Sequence, residues 1–261
     1  MRRLCLYAVC LCGVGLLASC ATTDNPANAY SNEKPNEIYQ HGRSALADKS
    51  YGEAIKRFEA LEVQYPDYPN AEPGMIDLVY AYYMKEEYAQ ASSTADRFVK
   101  LYPASPHVDY VLYLHGLSAY HQNLGLFEKV FSLDMAQRDL VQVQEAFHSF
   151  DELVREHPNS VYAPSAYQYL VYLRNTMALH ELQTGQYYYA RKAYVAAAER
   201  ARNVIQYFEG TPATKDAVKL LADSYHALGD AKLEQDARKV LNYNFKPDSV
   251  SDRDAKPLVI G

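Results

Sequence analysis

Tyr51-Gly52-Glu53-Ala54 returns as Tyr88-Ala89-Gln90-Ala91, and Gln64-Tyr65-Pro66 returns as Leu101-Tyr102-Pro103, each displaced by 37 residues. A period of that length leaves little choice of architecture. One unit holds two short helices and a turn, cannot bury its own apolar face, and therefore has to stack on further copies. A third, looser copy carries Glu145-Ala146, Phe150 and His157-Pro158.

The positions that recur have plain physical roles. A small alanine lets two antiparallel helices approach closely, a phenylalanine fills the space beside it, and a proline stops the second helix. Gly42, Ala54, Phe58 and Pro66 in the first copy, Tyr82, Ala91 and Pro103 in the second, and Ala146, Phe150 and Pro158 in the third carry the signature of the tetratricopeptide repeat. Ala197 and Ala201, then Ala222, Tyr225 and Gly229, mark two degenerate copies, with Gly210 standing near where a fourth proline is due. No segment alternates in the manner of a strand. The expected fold is all-α, a superhelical solenoid of about five tetratricopeptide-like helix pairs over 36–245 whose final helix caps the stack. Helices are predicted near 36–48, 50–65, 71–85, 87–101, 106–122, 139–156, 164–184, 186–208, 212–228 and 230–243. Ser105-Pro106 and Thr211-Pro212 mark two sharp starts, a capping hydroxyl before a first-turn proline.

Residues 123–138 interrupt the pattern inside repeat three, where a few residues would suffice. Long loops in compact domains are usually functional or disordered, and Phe127 and Phe131 argue against disorder. The loop either folds back over apolar surface or contacts a partner.

The N-terminus reads differently. Arg2 and Arg3 precede an apolar run from Leu4 to Leu17, and Leu17-Ala18-Ser19-Cys20 closes it. This is the layout of a cleaved signal, too short to span a bilayer as a mature helix. It resembles a lipoprotein signal (residues 1–19). The resemblance implies S-diacylglycerol and N-acyl chains on Cys20, which would anchor the mature protein stably. Ala21, in place of aspartate, points by the same resemblance to the outer membrane of a Gram-negative bacterium, facing the periplasm. Residues 20–35, the acylated cysteine and an aperiodic run, read as a flexible tether reaching at most about 50 Å. Residues 246–261 read as a disordered tail. All four cysteines lie at or before Cys20, so the remaining domain of about 240 residues depends on burial and not on disulfides. Loss of Arg2 and Arg3 takes the formal charge from -6 to -8. An acidic domain without a basic run is a poor nucleic-acid binder.

Catalytic and metal constellations are missing from the sequence. His180-Glu181 lacks the second histidine of a zinc-protease helix, and His115 and His121 fall on different helical faces. No phosphate loop or nucleophile elbow occurs. The expectation is a non-enzyme with no catalytic residue, no metal and no cofactor beyond the covalent lipid. The tyrosines are more informative: there are 25, with no tryptophan. Tyr39, Tyr82, Tyr83, Tyr110, Tyr113 and Tyr120 lie on the first helices of repeats one to three, the helices that line the inner face of such a solenoid. Most tyrosines here pack between helices; those reaching the groove offer rigid, amphipathic contact area for an extended, aromatic-rich peptide.

The lipoprotein signal, the tether, the repeats, the insertion in repeat three, Arg138-Asp139, Ala146-Phe147-His148-Ser149-Phe150-Asp151-Glu152-Leu153-Val154 and Pro158-Asn159-Ser160-Val161-Tyr162 together resemble the BamD (ComL) family, the lipoproteins of the outer-membrane β-barrel assembly machinery. The resemblance implies an adaptor whose C-terminal repeats dock on the periplasmic domain of a BamA-like barrel-forming subunit and whose N-terminal repeats receive unfolded outer-membrane protein precursors. Accessory lipoproteins of the complex are further implied partners. Within Ala193-Tyr194-Val195-Ala196-Ala197-Ala198-Glu199-Arg200, Arg200 aligns with the family arginine that engages an acidic residue of the barrel subunit; an ion pair within its own solenoid is the other role open to it. Leu140 departs from the family's proline after Arg-Asp, and repeat four lacks its closing proline. Two other readings are a pilotin lipoprotein for a pilus secretin, which would lack the insertion, and a cell-wall hydrolase, for which the chain has no room.

Overall fold

The computed structural model describes residues 25–129 and 140–245, leaving aside the side chains of 123–129. The described residues form ten α-helices and no strand: α1 (Pro35–Ala47), α2 (Tyr51–Gln64), α3 (Ala71–Met84), α4 (Tyr88–Leu101), α5 (Val108–Lys129), α6 (Val141–Glu156), α7 (Ala163–Ala190), α8 (Tyr194–Tyr207), α9 (Ala213–Leu228) and α10 (Ala231–Asn244). Each helix packs on the next, giving five antiparallel pairs. In addition α1 touches α3, α3 touches α5 and α7 touches α9. The first helices of successive pairs thus crowd together, which places them on the inner side of the curve.

The recurring residues do what their sizes dictate. Ala54, Ala91, Ala146 and Ala197 are fully buried where paired helices approach. Phe58, Phe98 and Phe150 are buried beside them. Facing Phe58 and Phe150 are glycines on the first helices: a Cβ on Gly42 would lie 2.7 Å from Phe58 Cε1, and one on Gly116 2.5 Å from Phe150 Cε1. The buried side chains form three clusters. One covers repeat one and the start of repeat two, a second runs from Met75 through repeat three to Met177, and a third gathers Ala178 to Leu220. Met177 and Ala178 are neighbours on α7, so this helix joins the N-terminal and C-terminal cores.

Two helix boundaries differ from expectation at α7 and α8. The sequence pattern predicts helices over 164–184 and 186–208. Instead α7 continues for 28 residues, about 42 Å, and Gly185 lies inside it. A Cβ there would meet Leu220 Cδ2 at 2.8 Å and Arg200 Cβ at 3.2 Å, so the glycine serves the close approach of α8 and α9. The true turn follows Arg191.

That turn belongs to a series. Lys49, Glu86 and Lys192 take φ of 57°, 63° and 63°, and Gly229 takes 77°. Each stands two residues before a second helix. Each is bracketed by the same two bonds; around Glu86 they run from Glu86 N to Tyr83 O and from Glu87 N to Tyr82 O, both 3.0 Å. This is a left-handed helix-ending motif that favours glycine, yet three repeats fill it with lysine or glutamate at a cost of about 1–2 kcal/mol. Glu86→Gly is therefore expected to stabilise the protein by about 0.5–1 kcal/mol, the relief of strain exceeding the added unfolded-state freedom. Urea midpoints check it, with Ala89→Gly in the first turn of α4 expected to shift the other way.

The other corners use proline, except one. Tyr65, Tyr102 and His157 end α2, α4 and α6 with φ near -130° and ψ near 56°, each followed by its proline. After α8, Phe208 adopts φ -125° without a proline. The hydroxyls of Thr211 and Thr214 hold that corner, donating to Phe208 O at 2.8 and 3.2 Å.

Two further expectations are corrected. α5 runs on to Lys129, so residues 123–129 of the expected loop are helical, and Phe127 sits on that helix. The expected tether is not loose throughout: residues 25–34 form turns that pack on α2, held by side chains that composition does not reveal. Cys20, Phe131 and the tail 246–261 lie outside the described residues. Among the described residues no helix is long and apolar enough to cross a membrane.

Candidate functional site

The inner faces of α1, α3 and α5 enclose a pocket of about 380 Å³ lined by Arg43, Leu46, Ala47, Asp77, Tyr80 and Tyr110. Arg43 and Tyr80 occupy the same repeat position, 37 residues apart, just past the positions of Gly42 and Val79. Arg43 Nε lies 3.5 Å from Asp77 Oδ2, and its side chain is 55% exposed, so the guanidinium faces the groove. Asp77 Oδ2 is buried without a hydrogen bond. Burial pushes the Asp77 carboxyl up to about 6, against the pull of Arg43. Burial also raises the Tyr110 hydroxyl, which therefore stays protonated. The pocket offers an exposed cation, a carboxylate seeking a donor and two phenol faces. Those groups suit a polypeptide segment with an aromatic side chain and an anionic group.

Beyond the pocket the groove continues as an aromatic ladder between α5 and α7. Tyr113 stacks on Tyr162 at 5.1 Å and 20°, with its hydroxyl 2.9 Å from Ser165 Oγ. Tyr120 meets Tyr169 and Tyr172 edge-on at 5.1 and 6.0 Å. Tyr83 and Tyr88 pack around His121, Tyr88 stacked at 5.2 Å. Tyr83, Tyr110, Tyr113 and Tyr120 are thus half-buried members of the inner wall. Tyr39 and Tyr82 are not groove residues: each is only 7% exposed. Tyr39 packs on Phe58, and Tyr82 hydrogen-bonds Glu59 Oε1 across to α2. Their rings turn toward the second helices because these positions fall on the pairing face. Sequence reasoning missed Arg43, Asp77 and Tyr80, and it missed Tyr162, Tyr169 and Tyr172 on the α7 side. The repeat frame itself carried the signal for Arg43 and Tyr80.

His115 is not a metal ligand in waiting. It is buried between α5 and α6, with Nδ1 2.8 Å from Ser149 Oγ and Nε2 3.0 Å from Glu145 Oε1. The residue types match a hydrolase triad, yet Ser149 is 2% exposed, so no substrate reaches its hydroxyl. Among the described residues no group of three or more His, Cys, Asp or Glu could hold a metal ion.

Arg200 projects from α8 toward α7. Its Nη1 donates to Glu181 Oε1 and Oε2 at 2.9 and 3.1 Å, while 38% of its side chain stays exposed. Arg200 therefore has a partner within the solenoid while part of its side chain stays exposed.

A curved stack of helix pairs with an aromatic inner groove defines a scaffold of the helical-repeat class. The family model described as "YfiO: Outer membrane lipoprotein" matches residues 31–241. The "Outer membrane protein assembly factor BamD" of Neisseria meningitidis serogroup A is 34% identical over 232 residues, 88% of this chain and 87% of that one. The proteins of the same description from Haemophilus influenzae and Vibrio cholerae are 32% identical over 209 residues (80% of each chain) and 29% identical over 234 residues (90% of this chain, 96% of that one). The chain belongs to this BamD family of outer-membrane lipoproteins.

Proposed function

We propose that the protein is a non-enzymatic, lipid-anchored adaptor of the outer-membrane β-barrel assembly complex. Its inner groove takes unfolded outer-membrane protein precursors, and its C-terminal repeats bind the barrel-forming subunit. The observation that carries this reading is the groove of α1, α3 and α5, where Arg43, Asp77, Tyr80 and Tyr110 meet, in a chain whose relatives are described as assembly factors. The Arg43 guanidinium matches an anionic group and the tyrosines match aromatic side chains, the features expected of a segment bound for a barrel wall. Arg200 is assigned to the barrel subunit through the donors that Glu181 leaves free, with Cys20 acylated and the solenoid facing the periplasm.

The test is capture of the tagged protein from gently solubilised outer membranes, followed by mass spectrometry. A large barrel protein with repeated periplasmic domains is expected in near-equal amount, and Arg200→Glu is expected to lower its recovery about tenfold while helical content stays constant. Recovery of a pilus secretin without that barrel protein would sink the assembly reading. Equal recovery with Arg200→Glu would remove Arg200 from the contact.

A further inference from the structure

The segment between the anchor cysteine and the first helix is short of slack. Gln64, at the end of α2, donates from Nε2 to both Pro26 O and Ala29 O, each at 2.6 Å. Tyr30 takes φ 56°, which turns the chain back toward α2. Its hydroxyl donates to Glu53 Oε1 at 3.0 Å, and its ring lies 4.1 Å from the Arg57 guanidinium carbon. Arg57 is only 14% exposed, bonded to Glu33 at 2.9 Å and to Glu53 at 2.7 Å. Glu33 also meets His41 Nδ1 at 2.8 Å. Lys34 N then donates to Glu37 Oε2 at 2.9 Å and opens α1 with a capping box. Five side chains of α1 and α2 thus grip this segment, through two backbone carbonyls, one backbone N–H, the ring and hydroxyl of Tyr30 and the carboxylate of Glu33.

We infer that residues 25–34 are a clasp that makes the anchor a short leash and holds the α1–α2 end of the solenoid at the surface of the membrane. The inference rests on acylation of Cys20, part of the function proposed above. With the clasp closed, only Ala21 to Asp24 separate Cys20 from the fold, and the five Cα steps from Cys20 to Asn25 span at most about 18 Å whatever their conformation. Were the whole segment to Pro35 free, the limit would be about 50 Å. The difference decides geometry. On the short leash the first repeat stays within about two helix diameters of the lipid headgroups. On the long one the solenoid would tumble freely beneath the membrane.

The acylated cysteine leaves the mature chain without a free thiol, so one reporter suffices. The full-length protein carrying Asp67→Cys, an exposed site just past α2, is labelled with a donor fluorophore and reconstituted into phosphatidylethanolamine and phosphatidylglycerol vesicles containing an acceptor lipid. High energy transfer is expected, falling about twofold both when Gln64→Ala and Tyr30→Ser open the clasp and when ten Gly and Ser residues are inserted between Thr22 and Thr23. Circular dichroism checks that both altered proteins remain helical. Transfer that drops with the insertion but ignores the opened clasp would overturn the clasp while leaving the anchor intact. An N-terminal peptide whose mass lacks acyl chains would overturn the inference at its premise, and the lipid-anchor reading with it.

Discussion

Gly116→Ala is expected to destabilise the protein by about 1–2 kcal/mol when Phe150 is present and to stabilise it by about 1 kcal/mol when Phe150 has been replaced by alanine. The sign reverses because two effects compete at one site. Removing a glycine from the middle of α5 favours the helix by about 1 kcal/mol through lost unfolded-state freedom. Against this, the new Cβ would lie 2.5 to 2.8 Å from three ring carbons of Phe150. That ring has nowhere to go: it is fully buried, stacked on Tyr169 at 4.9 Å and 11°, and backed by Tyr113 at 6.0 Å. Overpacking of this kind costs about 1–3 kcal/mol and outweighs the helix gain. Phe150→Ala alone is expected to cost about 3–5 kcal/mol, the largest effect of any single change considered. It also leaves the space a methyl group would use. Urea unfolding of the four proteins measures the coupling, expected at about 2–3 kcal/mol; effects that simply add would refute steric conflict as the reason for the glycine.

How much of this was legible in the sequence follows from where the information lay. The alanine, phenylalanine and proline positions recur at fixed spacing, so the helix pairs of repeats one to three could be placed within two residues, except at the far end of α5. In repeat four the boundary between α7 and α8 was misplaced: position 185 lies inside α7, where Gly185 has a tertiary role and clears room for Leu220 and the α8 backbone. A better signal was present. Tyr194-Val195-Ala196-Ala197 repeats the Tyr-x-x-Ala of Tyr51 and Tyr88, and it starts α8 where those start α2 and α4. The left-handed corners at Lys49, Glu86 and Lys192 had no such signal, since the residues there are not the glycine or asparagine that the conformation favours. The groove was half legible. Placing tyrosines on first helices was sound, but periodicity alone did not say which side of the helix meets its pair and which meets the groove, so Tyr39 and Tyr82 were assigned to the wrong face. The clasp was invisible because it depends on Gln64 meeting residues 35 and 38 positions away and on Arg57 meeting one 24 positions away, and composition carries no such pairing.

His115→Ala is expected to destabilise the protein by about 2–4 kcal/mol near neutral pH, and by less in acid. The imidazole is 7% exposed and bonds both Ser149 and Glu145, so its removal opens a cavity between α5 and α6 and strips partners from two polar groups. Ser149 keeps one bond, to Glu145 O at 3.0 Å, whereas the Glu145 carboxylate loses the contact that fixes it. The pH dependence follows from that carboxylate. The hydrogen bond from His115 holds Glu145 below its ordinary value of 4.5, overcoming the opposing effect of burial. A carboxyl depressed in the folded state contributes stability that is complete above its unfolded value and is lost as the pH falls through the folded one. The wild-type protein should therefore give up this contribution between about pH 5 and about pH 3, while the alanine variant has none to give. The gap between the two in urea midpoint is expected to narrow over that interval, leaving only the cavity cost. A gap that stays constant from neutral pH to acid would mean that His115 supports α5 and α6 by its volume alone and that its bond to Glu145 contributes nothing. Glu145→Gln separates the two roles. It keeps the shape and an acceptor for the imidazole but removes the titrating group, so its stability should run parallel to that of the alanine variant across the acid range while lying above it throughout.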